Sequence, residues 1–149
     1  MHDLVNSISI LQTVQPQVIQ ASALDTGNID MQGAGSLSVV VLVGNIVDTL
    51  DASHRIDVKI EHADDDGTGA PGSYAACIDD DVLNFANLSS GKFLAIDGSA
   101  KEQKRHVIGY QGGKRFVKVT ATPVSLSTGG PIAMMALKGS LAQKPQANT

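Results

Sequence analysis

The sequence predicts an all-β protein: an antiparallel β-sandwich or small barrel with an extended N-terminal arm and at most one short helix. Three observations carry this expectation. Apolar and polar residues alternate with a period of two in IDVKIE and KRFVKVTAT. Turn signals rich in Gly, Asn, Asp and Pro recur between apolar segments at intervals of roughly 8 to 15 residues. Helical spacing of apolar residues is hard to find anywhere in the chain.

Taken in order, residues 1–16 form an apolar arm or edge strand carrying Leu4, Val5, Ile8, Ile10, Leu11 and Val14 before Pro16. Such a segment needs a surface, supplied either by its own domain or by a neighbouring subunit. On the second reading, removal of residues 1–16 leaves the domain folded. The domain itself spans 17–141, opening with a short strand candidate at Val18 to Ala23. SLSVVVLVG is a nearly continuous Val-rich run from Leu37 to Val43, the pattern of a central strand covered on both faces. In IDVKIE, Ile56, Val58 and Ile60 mark the buried face. HADDDGTGAPG then reads as a solvated turn.

Ser73 to Ile78 and Phe93 to Ile96 are further strand candidates. Between them, DDVLNFANL from Asp80 to Leu88 brings Val82, Leu83, Phe85 and Leu88 near one face, the best candidate for a short helix. A hairpin is expected from His106 to Thr122 around Gly112-Gly113, with Val117, Val119 and Ala121 on one face. After Thr128-Gly129-Gly130-Pro131, PIAMMALKG is a strand with both faces at least partly covered. Residues 142–149, polar and containing Pro145, read as a flexible tail.

Composition narrows the function classes. The 149 residues suit one domain, and the net charge of −4 gives no general attraction to phosphate backbones or anionic lipid. No Trp, two Tyr and three Phe leave few platforms for stacking bases, so nucleic acid is not an expected partner. No stretch approaches a membrane span, and MHDLVNSISILQ has no positive n-region, which predicts a soluble protein made in the cytoplasm. Cys77 is the single cysteine, so an intramolecular disulfide is impossible.

The catalytic and cofactor motifs fail on spacing. Asp64, Asp65 and Asp66 are candidate ligands for a hard cation. Aligning Gly67 as the invariant glycine of an EF-hand, however, puts His62 first and Ser73 last, and both acidic anchors are lost. GTGAPG matches a dinucleotide glycine pattern by letter but offers no following helix. Gly113-Lys114 resembles the end of a phosphate loop, yet Arg115 replaces the Ser or Thr that would hold magnesium. No nucleophile elbow is present, and no cofactor is expected. His2, His54, His62 and His106 read as surface histidines with neither metal-ligand spacing nor a Cys/His cluster, and Cys77 reads as a small buried side chain. Asp79-Asp80-Asp81 and Asp64-Asp65-Asp66 form acidic runs. Lys101, Lys104, Arg105, Lys114 and Arg115 form a basic cluster around the late hairpin, and this asymmetry can orient a partner.

GAGSLSVVVLVGNIVD, VKIEHADDDGTG and VIGYQGGKRFVKVTATP, followed by a last apolar strand, together resemble a loose family of small bacteriophage virion proteins. The resemblance spans Gly33 to Leu137 and is most specific at Tyr110, Gly113, Lys114, Arg115, Phe116 and Val117. Gly112-Gly113 is doubled relative to the pattern, and Tyr74 stands where relatives place a Trp. The resemblance implies a β-sandwich virion component without catalytic residues. Its implied role is capsid decoration: a cement protein on the capsid exterior that contacts the major capsid protein and copies of itself. Leu4, Val5, Ile8, Ile10, Leu11, Val14, Lys114 and Arg115 are then the candidate contacts. A minor tail or head-completion component, or a glycan or host-surface binding sandwich, are the alternatives on the same fold.

Overall fold

The computed structural model describes residues 4–142. Among the described residues, eleven strands and three single 3₁₀ turns make up the regular structure: β1 (Ser9–Ile19), β2 (Leu24–Asp25), β3 (Ile29–Asp30), β4 (Ala34–Val43), β5 (Arg55–Ala63), β6 (Ala75–Ala76), β7 (Val82–Leu83), β8 (Lys92–Ile96), β9 (Lys104–Tyr110), β10 (Phe116–Val124) and β11 (Gly130–Leu141). They form two antiparallel sheets packed as a sandwich. The first sheet has the order β1-β11-β4-β9-β7; the second is built on β2-β10-β5-β6, with β3 beside β10 and β8 beside β5.

The core lies where the alternating apolar sets meet. Val39, Val41, Ile132, Met134 and Ile108 from the first sheet face Ile56, Val58, Ile60, Val117 and Val119 from the second, all fully or almost fully buried. The period-two patterns of IDVKIE and KRFVKVTAT thus read correctly, because one face of each strand is inside. Phe93 to Ile96 lies within β8 as expected.

The expected hairpin from His106 to Thr122 is corrected. β9 pairs with β4 and β7, whereas β10 pairs with β5, so the connection through Gln111–Arg115 crosses from one sheet to the other. Its backbone groups bond away from each other: Gln111 and Gly112 N–H donate to the Asp81 carbonyl at 2.8 and 3.2 Å, and Lys114 N–H to the Tyr110 hydroxyl at 3.0 Å. A sequence period of two records burial, not which strand is the neighbour, and an inter-sheet arch has the same pattern as a hairpin.

Other local expectations also shift. β1 runs unbroken through Pro16 to Ile19, and the Val18 to Ala23 strand does not form. Pro16 is tolerated because β1 is an edge strand whose ladder with β11 is already irregular on both sides of Val14. Only Ala75–Ala76 of the Ser73 to Ile78 segment is strand. The helix candidate at Asp80 to Leu88 is a 3₁₀ turn at Asp79–Asp81 followed by β7. Asp79 explains why: its carboxylate accepts the Asn87 and Leu88 N–H groups, both at 2.8 Å, and closes the segment as a loop.

The β10–β11 connection shows how the turns are held. Asp48 accepts N–H bonds from Ser127 at 2.7 Å, Thr128 at 3.0 Å and Gly129 at 2.6 Å. Gly129 sits at φ +73°, and a Cβ there would stand 1.9 Å from the Ile19 carbonyl oxygen. Only glycine fits that approach of the turn to β1.

Candidate functional site

The two outer faces of the sandwich differ in chemistry. On the second sheet, β5 turns Arg55, Asp57, Lys59 and Glu61 outward and β10 turns out Lys118, Thr120 and Thr122. These residues pair across the surface: Arg55 with Asp57 at 2.9 Å, Lys59 with Glu61 at 3.0 Å, Lys92 with Asp57 at 3.5 Å and Lys118 with Glu61 at 3.8 Å. Lys118 Nζ also lies 4.2 Å above the Tyr74 ring. This is an ordinary solvated face.

The first sheet's outer face is predominantly apolar, with Ser36 and Ser38 as polar positions on β4. Val39, Val41 and Val43 point inward, so Val40 and Leu42 point out, correcting the expectation that SLSVVVLVG is covered on both faces. The ladder extends these two residues into rows. Val40 lies between Met135 and Val107, and Leu42 lies between Ala133 and Arg105. Toward the edges, Leu137 is opposite Ile10, Pro131 opposite Val18, and Leu83 opposite Gly109. Leu42, Ile10, Val18 and Leu83 are 40%, 42%, 61% and 50% exposed. Arg105 is the one charged side chain in those rows among the described residues. A shallow groove of about 250 Å³, lined by Pro16, Leu42, Gly44, Pro131 and Ala133, lies at the end of the sheet where β4 ends and β11 begins. Apolar residues at these alternate positions set this face apart from a solvated strand, which carries polar residues there.

The candidate contacts of the N-terminal segment divide. Leu4, Val5 and Ile10 are exposed, Ile8 and Leu11 are half-buried with Leu11 packed on the core, and Val14 is buried within it. Val14 is therefore corrected from partner contact to core residue: β1 needs it to close its own sandwich.

Lys114 and Arg115 meet the acidic turn. Lys114 pairs with Asp64, and Arg115 pairs with Asp65 and, in a two-pronged contact at 3.0 and 2.9 Å, with Asp30. Arg115 holds the Asp30 carboxyl below the usual range, while the Gly67 and Gly69 N–H groups do the same for Asp65, with Arg115 adding to it. Asp66 accepts the backbone and hydroxyl of Thr68 at 2.8 and 2.7 Å. Asp64, Asp65 and Asp66 thus face three different sets of partners and do not converge as a cation cage. The basic cluster is divided as well, with Lys104 and Arg105 at one end of β9 and Lys114 and Arg115 beyond the other.

No protein-family model matches the chain, and no curated protein matches it in sequence.

His62 departs from the surface reading, and the fold assembles the Cys/His cluster that spacing did not suggest. His62 is buried at the end of β5, with its Nδ1 3.0 Å from the Tyr110 hydroxyl. One of its ring nitrogens, Cys77 Sγ and an Asp81 carboxylate oxygen lie within 4.8 Å of one another. The three come from separate segments, so no motif could announce them. The one local signal is that His62 falls on the inward face continued from Ile56, Val58 and Ile60. His2 lies outside the described residues.

Proposed function

We propose that the protein is a non-enzymatic structural component of a tailed phage or phage-like particle, decorating the capsid exterior and bridging major capsid protein subunits. The observation that carries this reading is the apolar outer face of the first sheet, set against the ion-paired outer face of the second. One face is built to be covered by protein and the other to meet water. The resemblance of the Gly33 to Leu137 segment to small phage virion proteins supplies the particle, and the chemistry of the face supplies the mode of attachment.

Repetition makes the arrangement effective. A modest apolar contact binds weakly alone, but copies placed on a symmetric shell, contacting one another as well as the capsid, act together. The exposed Leu4 and Val5 precede β1 at the rim of the same sheet and extend the contact beyond it. The test is to mix the purified chain with capsids that lack it and sediment them. Saturable binding in fixed proportion to the shell subunit, with greater heat resistance of the shell, is the expected result. Absence of binding would contradict it.

A further inference from the structure

We propose that His62, Cys77 and Asp81 form a binding site for a borderline-soft divalent cation of the zinc class, tying the two sheets of the sandwich together. The donors are one nitrogen, one sulfur and one oxygen, all within 4.8 Å of one another. Tetrahedral zinc at its usual bond lengths of about 2.0–2.3 Å needs them to close by about 1 Å. The mixed set with a thiol disfavours calcium and magnesium, which take oxygen ligands.

His62 is already oriented as a ligand. Its side chain is 10% exposed, yet Nε2 makes no hydrogen bond among the described residues and has Asp81 Oδ2 at 4.0 Å as its charged neighbour. Its other nitrogen, Nδ1, is held by the Tyr110 hydroxyl, which also accepts the Lys114 N–H. In the tautomer whose Nδ1 donates its proton to that oxygen, Nε2 keeps its lone pair for a cation, the outer-shell arrangement that fixes metal-binding imidazoles. Cys77 is 1% exposed, and burial with the nearby Asp81 and Glu61 charges pushes its thiol up to about 12. A bound cation reverses that: the thiol proton leaves to solvent, and the filled site of thiolate, carboxylate and imidazole is neutral overall. Asp81 is 19% exposed and is the side of the cluster nearest solvent, from which a water would complete the four ligands of a bound cation.

The site also has a mechanical position. His62 belongs to the second sheet, while Asp81 adjoins β7 and its carbonyl receives Gln111 and Gly112 at the end of β9, in the first. A cation here staples the sheets where β5, β7 and β9 end together.

The test is a cobalt(II) titration of the tag-free full chain, stripped of metal and kept reduced. The expected result is one equivalent bound, with a thiolate-to-cobalt charge-transfer band and tetrahedral visible bands. Zinc displaces the cobalt and raises Tm by about 5 °C or more at a hundredfold excess over Kd. Cys77→Ser abolishes the band, and Asp81→Asn, which keeps an acceptor for the Ile78 N–H, weakens binding about tenfold or more. A folded wild-type chain showing no charge-transfer band overturns the proposal. So does a band unchanged in both Asp81→Asn and His62→Gln, which would be adventitious binding to the thiol.

Discussion

At the scale of single residues, identical letters carry different burdens. Gly113 and Gly129 both sit in Gly-Gly pairs, and nothing in the sequence separates them. A Cβ at Gly113 meets nothing within 4 Å, whereas at Gly129 it would meet the Ile19 carbonyl at 1.9 Å with the backbone at φ +73°. Gly129→Ala is expected to destabilise by about 3–5 kcal/mol and Gly113→Ala by less than about 0.5 kcal/mol in urea unfolding; equal effects would contradict this account of the turn. The carboxylates are similarly specific. Asp30, Asp48 and Asp65 are held below their ordinary value by hydrogen bonds, those of Asp48 coming chiefly from the Gly129 and Ser127 N–H groups. Because their folded pKa values are depressed, the stability they contribute is fully present above about pH 5 and is lost as pH falls through the folded values. The urea midpoint should therefore fall from about pH 5 toward about pH 2, less steeply in Asp48→Asn; a midpoint flat across that window contradicts the assignment.

At the scale of elements, the strands whose faces alternate were legible and their neighbours were not. β5 and β10 could be read residue by residue because burial imposes a period of two on each. The crossing between β9 and β10 could not, since the same letters serve a hairpin or an arch, and the bonds that choose the arch come from Asp81 and Tyr110, far away in sequence. β1 is the other lesson. Its apolar residues left an arm and an edge strand both open, and the edge strand is what forms: Val14 and Ile19 are buried, and the Thr13 hydroxyl donates to the Met134 carbonyl at 3.0 Å. Removing residues 1–8 should cost much less stability than removing 1–16, because β1 begins at Ser9. Removing 1–16, which the arm reading treats as harmless, takes Val14 and most of the β1–β11 ladder and should lower stability by at least about 3 kcal/mol. Thermal unfolding of both truncations decides between the two readings, and a fully stable 1–16 deletion would restore the arm.

At the scale of the whole molecule, the decisive property is the difference between two faces, and the sequence contained it in a form that only topology decodes. SLSVVVLVG was apolar on both sides, which suggested burial on both sides, while PIAMMALKG suggested at least partial cover on both. The fold buries one side of each and leaves Ala133, Met135 and Leu137 half-buried on the other, and the register of β4, β9 and β11 aligns that other side around Val40, Leu42 and Met135. The charged runs showed the opposite behaviour. Lys114 and Arg115 stood apart from Asp64 and Asp65 in sequence, and folding spends these charges on one another, so the proposed docking rests on the apolar face rather than on the charge asymmetry. The most direct test of the central claim compares Leu42→Lys with Met135→Lys on the apolar face against Lys59→Gln with Lys118→Gln on the ion-paired face, in sedimentation with capsids lacking the protein. The account predicts that the first pair loses binding at least about tenfold while remaining folded, and that the second pair binds as the wild type. Unchanged binding by the apolar-face variants, or loss confined to the ion-paired face, would contradict it.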